Sequence, residues 1–172
     1  GPRGAVLLTH RADLSAKIDK AVFPGEQGGP HLNTILGIAV GFRINQSQQF
    51  RELQKQIRQN AAAMADRFRE RGFRIPYGGT ATHLVNLDCS SVIAPDGTPL
   101  KGDQASRILD LAGIVVNRNT IPGDSSALNP SGIRLGTGWI SQRGFTVSDS
   151  IYLADLIADL LQACQPFYYR GQ

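Results

Sequence analysis

Three short segments carry residue types able to grip a small charged molecule. In Gln27-Gly28-Gly29-Pro30, two glycines precede a proline suited to the first position of a helix. Bare amides at such a helix mouth point along the positive end of its dipole and make a phosphate seat. The same turn also serves as plain punctuation between elements, and both readings stand. In Ser131-Gly132-Ile133-Arg134-Leu135-Gly136-Thr137, strand alternation puts Ile133 and Leu135 on one face and Arg134 on the other. The small flanking residues would let a ligand approach the guanidinium, whose planar fork matches a carboxylate. A solvated strand arginine is the plainer alternative. In Asn117-Arg118-Asn119-Thr120-Ile121-Pro122, two alternate asparagines leave a strand on one face, either lining a pocket or meeting water.

Other chemistries lack their signatures. The 172 residues hold no Walker A loop, GxGxxG turn, GxSxG elbow, HExxH pair or EF-hand loop. His10, His31 and His83 are scattered, and a lone strand histidine such as His83 is more often structural. Cys89 and Cys164 form neither a CxxC pair nor a zinc spacing, so reduced, buried thiols in a cytoplasmic protein are the expectation.

The segments need elements to hold them. Residues 5–9 are a short apolar run that reads as a buried strand, and residues 12–22 read as a short helix. Residues 23–30 break regular structure. A helix from Pro30 to about Asn45 is apolar around most of its circumference and is expected to be deeply buried. Its Gly37 and Gly41, one turn apart, would let a neighbouring backbone come close. From about Ser47 to Arg71, Phe50, Leu53, Ile57, Ala61, Met64 and Phe68 recur at three- and four-residue steps, an amphipathic helix that Gly72 stops.

Residues 73–77 and 83–89 read as strands around a Gly78-Gly79 turn. A helix over about 103–112 ends at Gly113, and strands follow at 114–117 and 132–136, with a loop over 122–130 between them. The last helix opens on Thr146-Val147-Ser148-Asp149, a capping-box pattern with Asp in the third place. The order is that of a mixed α/β chain. A lone strand with three helices buries itself poorly, so residues 1–45 read as the end of a larger domain. Residues 46–72 read as a bridging helix and 73–172 as a small α+β domain.

With 41% hydrophobic and 19% charged residues, the composition suits a soluble globular chain. The net charge of +4 is too small and too dispersed to argue for nucleic acid. The basic stretch from Arg43 to Arg74 is interrupted at helical spacing by Glu52, Asp66 and Glu70, as on a solvated, ion-paired helix face. No apolar run approaches the roughly 20 residues of a membrane span, and Gly1-Pro2-Arg3-Gly4 does not open like a signal peptide.

Taken together, several segments resemble serine hydroxymethyltransferase in order and spacing. They are Ala21-Val22-Phe23-Pro24-Gly25-Glu26-Gln27-Gly28-Gly29-Pro30, Gly78-Gly79-Thr80 with His83-Leu84, residues 113–122, residues 131–137 and Arg143-Gly144-Phe145. The resemblance covers nearly the whole chain, and Gly1-Pro2-Arg3-Gly4 is similar to the family's stretch shortly after its catalytic lysine.

The resemblance implies the C-terminal part of a fold-type-I enzyme: the end of the pyridoxal 5'-phosphate-binding domain followed by the small domain. It implies a homodimer or higher oligomer in which Gly28 and Gly29 reach the cofactor phosphate across the interface. By the same token Arg134 binds the amino-acid carboxylate, Asn119 lies near the folate, and Arg3 is an active-site, catalytic arginine. The implied reaction passes a one-carbon unit between serine and tetrahydrofolate, leaving glycine. The family's lysine would lie upstream of Gly1, in an N-terminal half that this chain would join; Lys17, Lys20, Lys55 and Lys101 have the wrong context for it. Departures cluster on the folate side, where the loop reads Ser125-Ser126-Ala127-Leu128-Asn129-Pro130 and Ala81-Thr82 replaces Asp-Asn. Two alternatives remain beside this reading: a folate-independent aldolase acting on 3-hydroxy amino acids, and a non-catalytic remnant that only dimerises.

Overall fold

Residues 1–167 are described by a computed structural model, in which the chain divides into two compact units with the boundary after Arg51. In the first, residues 12–20 coil into α1 (Ala12–Lys20), with Asp13 in its first turn held by the Arg11 guanidinium at 2.6 Å. The helix gives way to a wide turn over Ala21–Glu26, where Phe23 is extended (φ −136°, ψ 125°). Then come α2 (Leu32–Asn45) and the start of α3 (Gln48–Glu70).

Three expectations fail here. Residues 5–9 form no strand, and Val6, Leu7 and Leu8 are exposed, because their unit offers no second strand to complete a ladder. The second helix starts at Leu32 with His31 as its cap residue, so Pro30 precedes the helix instead of opening it. Nor is α2 deeply buried: it has no buried residue, since its own unit has too little apolar surface to cover a helix apolar on every side. Gly37 does admit a close neighbour, for a Cβ there would lie 2.8 Å from the Pro2 ring, whereas the space at Gly41 is open.

The second unit holds a hydrophobic core. One stripe of α3 supplies Ile57, Ala61, Met64, Ala65 and Phe68. The helix ends as Gly72 takes a left-handed turn (φ 86°) and the Phe73 amide closes on the Phe68 carbonyl. Strands β1 (Leu84–Asp88), β2 (Asn117–Asn119) and β3 (Gly132–Gly136) form an antiparallel sheet in the order β1-β3-β2. Val85, Leu87, Ile133 and Leu135 alternate onto one face and join the core with Leu109 of α4 (Gly102–Leu111) and Ile157 and Leu161 of α6 (Val147–Gln162).

Asp155 of α6 accepts at 2.8 Å from both Arg67 of α3 and Arg71 just beyond its end, so part of the basic stretch pairs across to another helix and not only along one. The capping box opening α6 forms as expected: the Asp149 carboxylate accepts from the Thr146 amide at 2.8 Å, and the Thr146 hydroxyl accepts from the Asp149 amide.

Two expected strands shift. Residues 73–77 reduce to a single bridge between Arg74 and Asp88, because Pro76 has no N–H to continue a ladder and Tyr77 turns left-handed (φ 65°). The strand expected over 114–117 is Asn117–Asn119, since the Ile114 amide is drawn back to the Leu109 carbonyl to close α4. A short helix, α5 (Gly138–Gln142), follows β3 directly and has no counterpart in the sequence reading.

Candidate functional site

The register of the sheet decides which polar side chains meet. Arg134 on central strand β3 pairs with Asn86 on one side and Asn117 on the other. Directly paired residues project from the same face, so these three form a polar row on the face opposite Ile133 and Leu135. One step along lies a second row of Asp88, Gly132 and Asn119. The structure therefore brings Arg134 and Asn119 to the same face as diagonal neighbours.

Arg134 is half-buried, and its Nη2 donates to the Asn117 Oδ1 at 3.3 Å. No carboxylate among the described residues pairs with it. Exposed Arg58 and Arg143 also lack such a partner among the described residues, but the other half-buried arginines of this unit do not. Arg118 pairs with Asp103 at 2.7 Å, Arg74 with Asp88 at 2.6 Å, and Arg67 and Arg71 with Asp155. Asp88 on the same face is already committed, since its other oxygen accepts from the Ser90 amide and hydroxyl. A guanidinium held by a neutral amide keeps its charge available for a carboxylate from outside the chain.

The loop leading into β3 is fixed by Asp124, which accepts from the amides of Ile121 at 3.0 Å and Ser131 at 2.9 Å. Burial pushes this carboxyl up, but hydrogen bonds from Ser131 and Ile121 outweigh that and hold it below the usual carboxylate range. Asn119 directs its side-chain amide to the Thr120 carbonyl at 2.7 Å.

The expectation that Gly132 leaves room for a ligand is corrected. A Cβ there would meet the Ile121 Cγ2 at 2.5 Å and the Asn119 carbonyl at 2.9 Å, so this glycine serves internal packing. Gly136 is exposed, and a Cβ there would make only ordinary contact with Leu84 at 3.5 Å. Nearby Cys89 is no nucleophile at neutral pH: burial first, and then the charge of Asp88, push its thiol up to about 12.

In the first unit, Gly28 and Gly29 are exposed, and a Cβ on either would meet nothing within 4 Å. Their amides donate to no described residue, and the His31 side chain does not cap α2. Nothing within the unit itself demands glycine at either position. Bare amides before an uncapped helix suit an anion approaching from outside, and a cofactor phosphate fits that donor set. Arg3 is exposed at a bend and forms no ion pair among the described residues. Asn86 escaped the sequence reading. Its signal is a single polar residue interrupting the apolar run Leu84-Val85-Asn86-Leu87.

Comparison with known proteins identifies the family. The family model described as serine hydroxymethyltransferase matches residues 1–157. The serine hydroxymethyltransferase of Caenorhabditis elegans is 40% identical over 97% of this chain and 34% of its own length. Serine hydroxymethyltransferase 3, chloroplastic, of Arabidopsis thaliana is 40% identical over 92% of the chain and 30% of its own. The probable cytosolic serine hydroxymethyltransferase of Schizosaccharomyces pombe is 38% identical over 91% and 35%. Their names favour neither the folate-independent aldolase nor the non-catalytic remnant. The chain spans about a third of the length of these relatives. On this match, the chain belongs to the serine hydroxymethyltransferase family.

Proposed function

We propose that this chain is the C-terminal part of a pyridoxal 5'-phosphate-dependent enzyme that interconverts serine and glycine, with tetrahydrofolate as the one-carbon carrier. The observation that carries the reading is Arg134, a half-buried guanidinium restrained by an amide and paired with no described carboxylate. In this role Arg134 receives the α-carboxylate of serine or glycine through two parallel N–H···O bonds, which orients the amino acid. Asn119 takes the role of a residue near the folate, and Arg3 that of a catalytic arginine. Gly28 and Gly29 offer amides to the cofactor phosphate of a partner subunit in a homodimer or larger assembly. When bound, the cofactor supplies an electron sink for bond cleavage at the amino-acid α-carbon.

No helix among the described residues is long and apolar enough to cross a membrane. The free cysteines, Cys89 and Cys164, support a reducing compartment, in our reading the cytoplasm.

The test is Arg134→Ala in the full-length enzyme carrying this chain. Removing one partner of a desolvated charge pair costs about 2–5 kcal/mol. Serine affinity should therefore fall by roughly 30-fold to several thousand-fold. Arg134→Lys keeps the charge, loses the fork and should recover only part of the loss. Cofactor affinity should barely change in either variant. Serine binding that survives Arg134→Ala within about threefold would make Arg134 a structural strand residue.

A further inference from the structure

Asn86 sits beside Arg134 in the sheet, across from Asn117, with its side chain on the same face. Its Oδ1 is fully buried and accepts no hydrogen bond from any described residue. A buried carbonyl oxygen without a donor is costly, and native structures retain few of them. The neighbours on this face narrow the choice of donor. The Asn119 side-chain amide turns to the Thr120 carbonyl on the far side of β3, and Arg74 turns to Asp88 and the Pro122 carbonyl. Asp88 is an acceptor already engaged by Arg74 and Ser90, and Leu84, Gly132 and Gly136 offer no side-chain donor. Arg134 carries five N–H groups, and its side chain is seen to use one, toward Asn117.

We infer that Asn86 is a positioning residue of the carboxylate clamp, accepting an N–H of Arg134 when the amino acid is bound. This rests on the reading of Arg134 as the carboxylate-binding arginine. The donor count fits. A carboxylate held bidentately occupies two N–H groups along one edge of the guanidinium and leaves three. Asn117 on one strand and Asn86 on the other can each take one of those, gripping the guanidinium from both sides. Among the described residues the guanidinium leans on Asn117 alone, and the bond to Asn86 forms as it turns its fork toward the ligand. Neutral amides suit this task, because a carboxylate at either position would pair with the arginine and compete with substrate.

The experiment measures binding of glycine and of glycinamide, which lacks the carboxylate, to the full-length enzyme and its variants. Asn86→Leu should weaken glycine roughly tenfold to a hundredfold while leaving glycinamide unchanged, the loss of one hydrogen bond to a charged group. Asn86→Ser restores a small acceptor and should regain part of that loss. Asn86→Asp sets a permanent carboxylate beside Arg134 and should weaken glycine more than Asn86→Leu does. Glycine affinity within twofold of the parent in Asn86→Leu overturns the inference, as does an equal loss for glycine and glycinamide, which marks a structural role. If Asn86→Leu does not fold, unchanged glycine affinity in Asn86→Asp overturns it instead. Arg134→Ala, measured alongside, separates the two claims. Glycine affinity retained there sinks the clamp itself, whereas its loss beside a neutral Asn86→Leu sinks only the role of Asn86.

Discussion

Helices α2 and α3 follow each other in the chain and fare in opposite ways. The α2 helix carries Leu32, Ile35, Leu36, Val40, Phe42 and Ile44, all more than half exposed, and buries nothing. The α3 helix is far more polar, yet it buries Ile57, Ala61, Met64, Ala65 and Phe68 in one stripe. The difference is not helix propensity, since both form. It is whether the same unit supplies an apolar surface to meet the stripe. The second unit has the sheet face of Val85, Leu87, Ile133 and Leu135, while residues 1–51 contain no buried residue at all. Gly28 and Gly29, proposed above to meet the cofactor phosphate, lie on the uncovered side of that contrast, and Arg134 lies on a sheet backed by a core.

The widest separation between the two units should appear in hydrogen exchange of the 172-residue chain. Core amides open only with global unfolding, whereas a helix without buried contacts opens locally. Amides of β1 and β3 should exchange on the order of 10³-fold more slowly than those of α2. Equal protection of α2 in a demonstrated monomer would break the comparison, because it would require a source of stability other than burial.

Truncating one apolar side chain in each unit sharpens the same point. Phe68 is fully buried and meets Phe73 edge-on with ring centroids 6.1 Å apart. Phe68→Ala should cost about 3–5 kcal/mol in a denaturant titration. Leu36 is 67% exposed, and Leu36→Ala should stay within about 0.5 kcal/mol of the parent. A comparable loss at Leu36 would mean that the first unit has a core of its own.

What could be read from the sequence tracks this division. The α3 stripe, the Gly72 stop, the Thr146–Asp149 cap and the alternation that turns Arg134 away from Ile133 are local patterns, and each is realised in the second unit. The strand at residues 5–9 and the burial of α2 failed because both depend on surfaces that residues 1–51 do not contain. Asn117 and Asn119 could be placed on one face from alternation alone. That Asn86 joins them depends on register, Asn86 opposite Arg134 opposite Asn117, which links positions far apart in the chain. The role of Gly132 was misjudged for a similar reason. The Ile121 side chain that fills its space arrives from a loop whose path is set by Asp124, and no spacing rule reveals that.

The smallest effect concerns charge, and it again sets one unit against the other. Asp155 is held below the usual carboxylate range, first by the Arg67 guanidinium and then by Arg71, and these bonds tie α6 to α3. Asp13 is held down too, by Arg11, but that pair lies two residues apart on an exposed helix start. A carboxyl whose pKa is lower in the folded state than the ordinary value of about 3.9 contributes stability above that value and loses it as pH falls through the folded pKa. Both carboxyls therefore act in the acid range below about pH 4 and contribute no slope near neutrality. Only Asp155 joins two elements of the core-bearing unit, so only its protonation should be felt in cooperative unfolding. Asp155→Asn should lower the unfolding midpoint at pH 7 and flatten its decline on acidification. Asp13→Asn should leave both unchanged, since a local exposed pair adds little to global stability. Thermal midpoints of the parent and both variants between pH 7 and pH 3 supply the check. Parallel acid limbs for Asp155→Asn and the parent would show that the Arg67–Asp155–Arg71 bridge does not couple α3 to α6 in the folding transition.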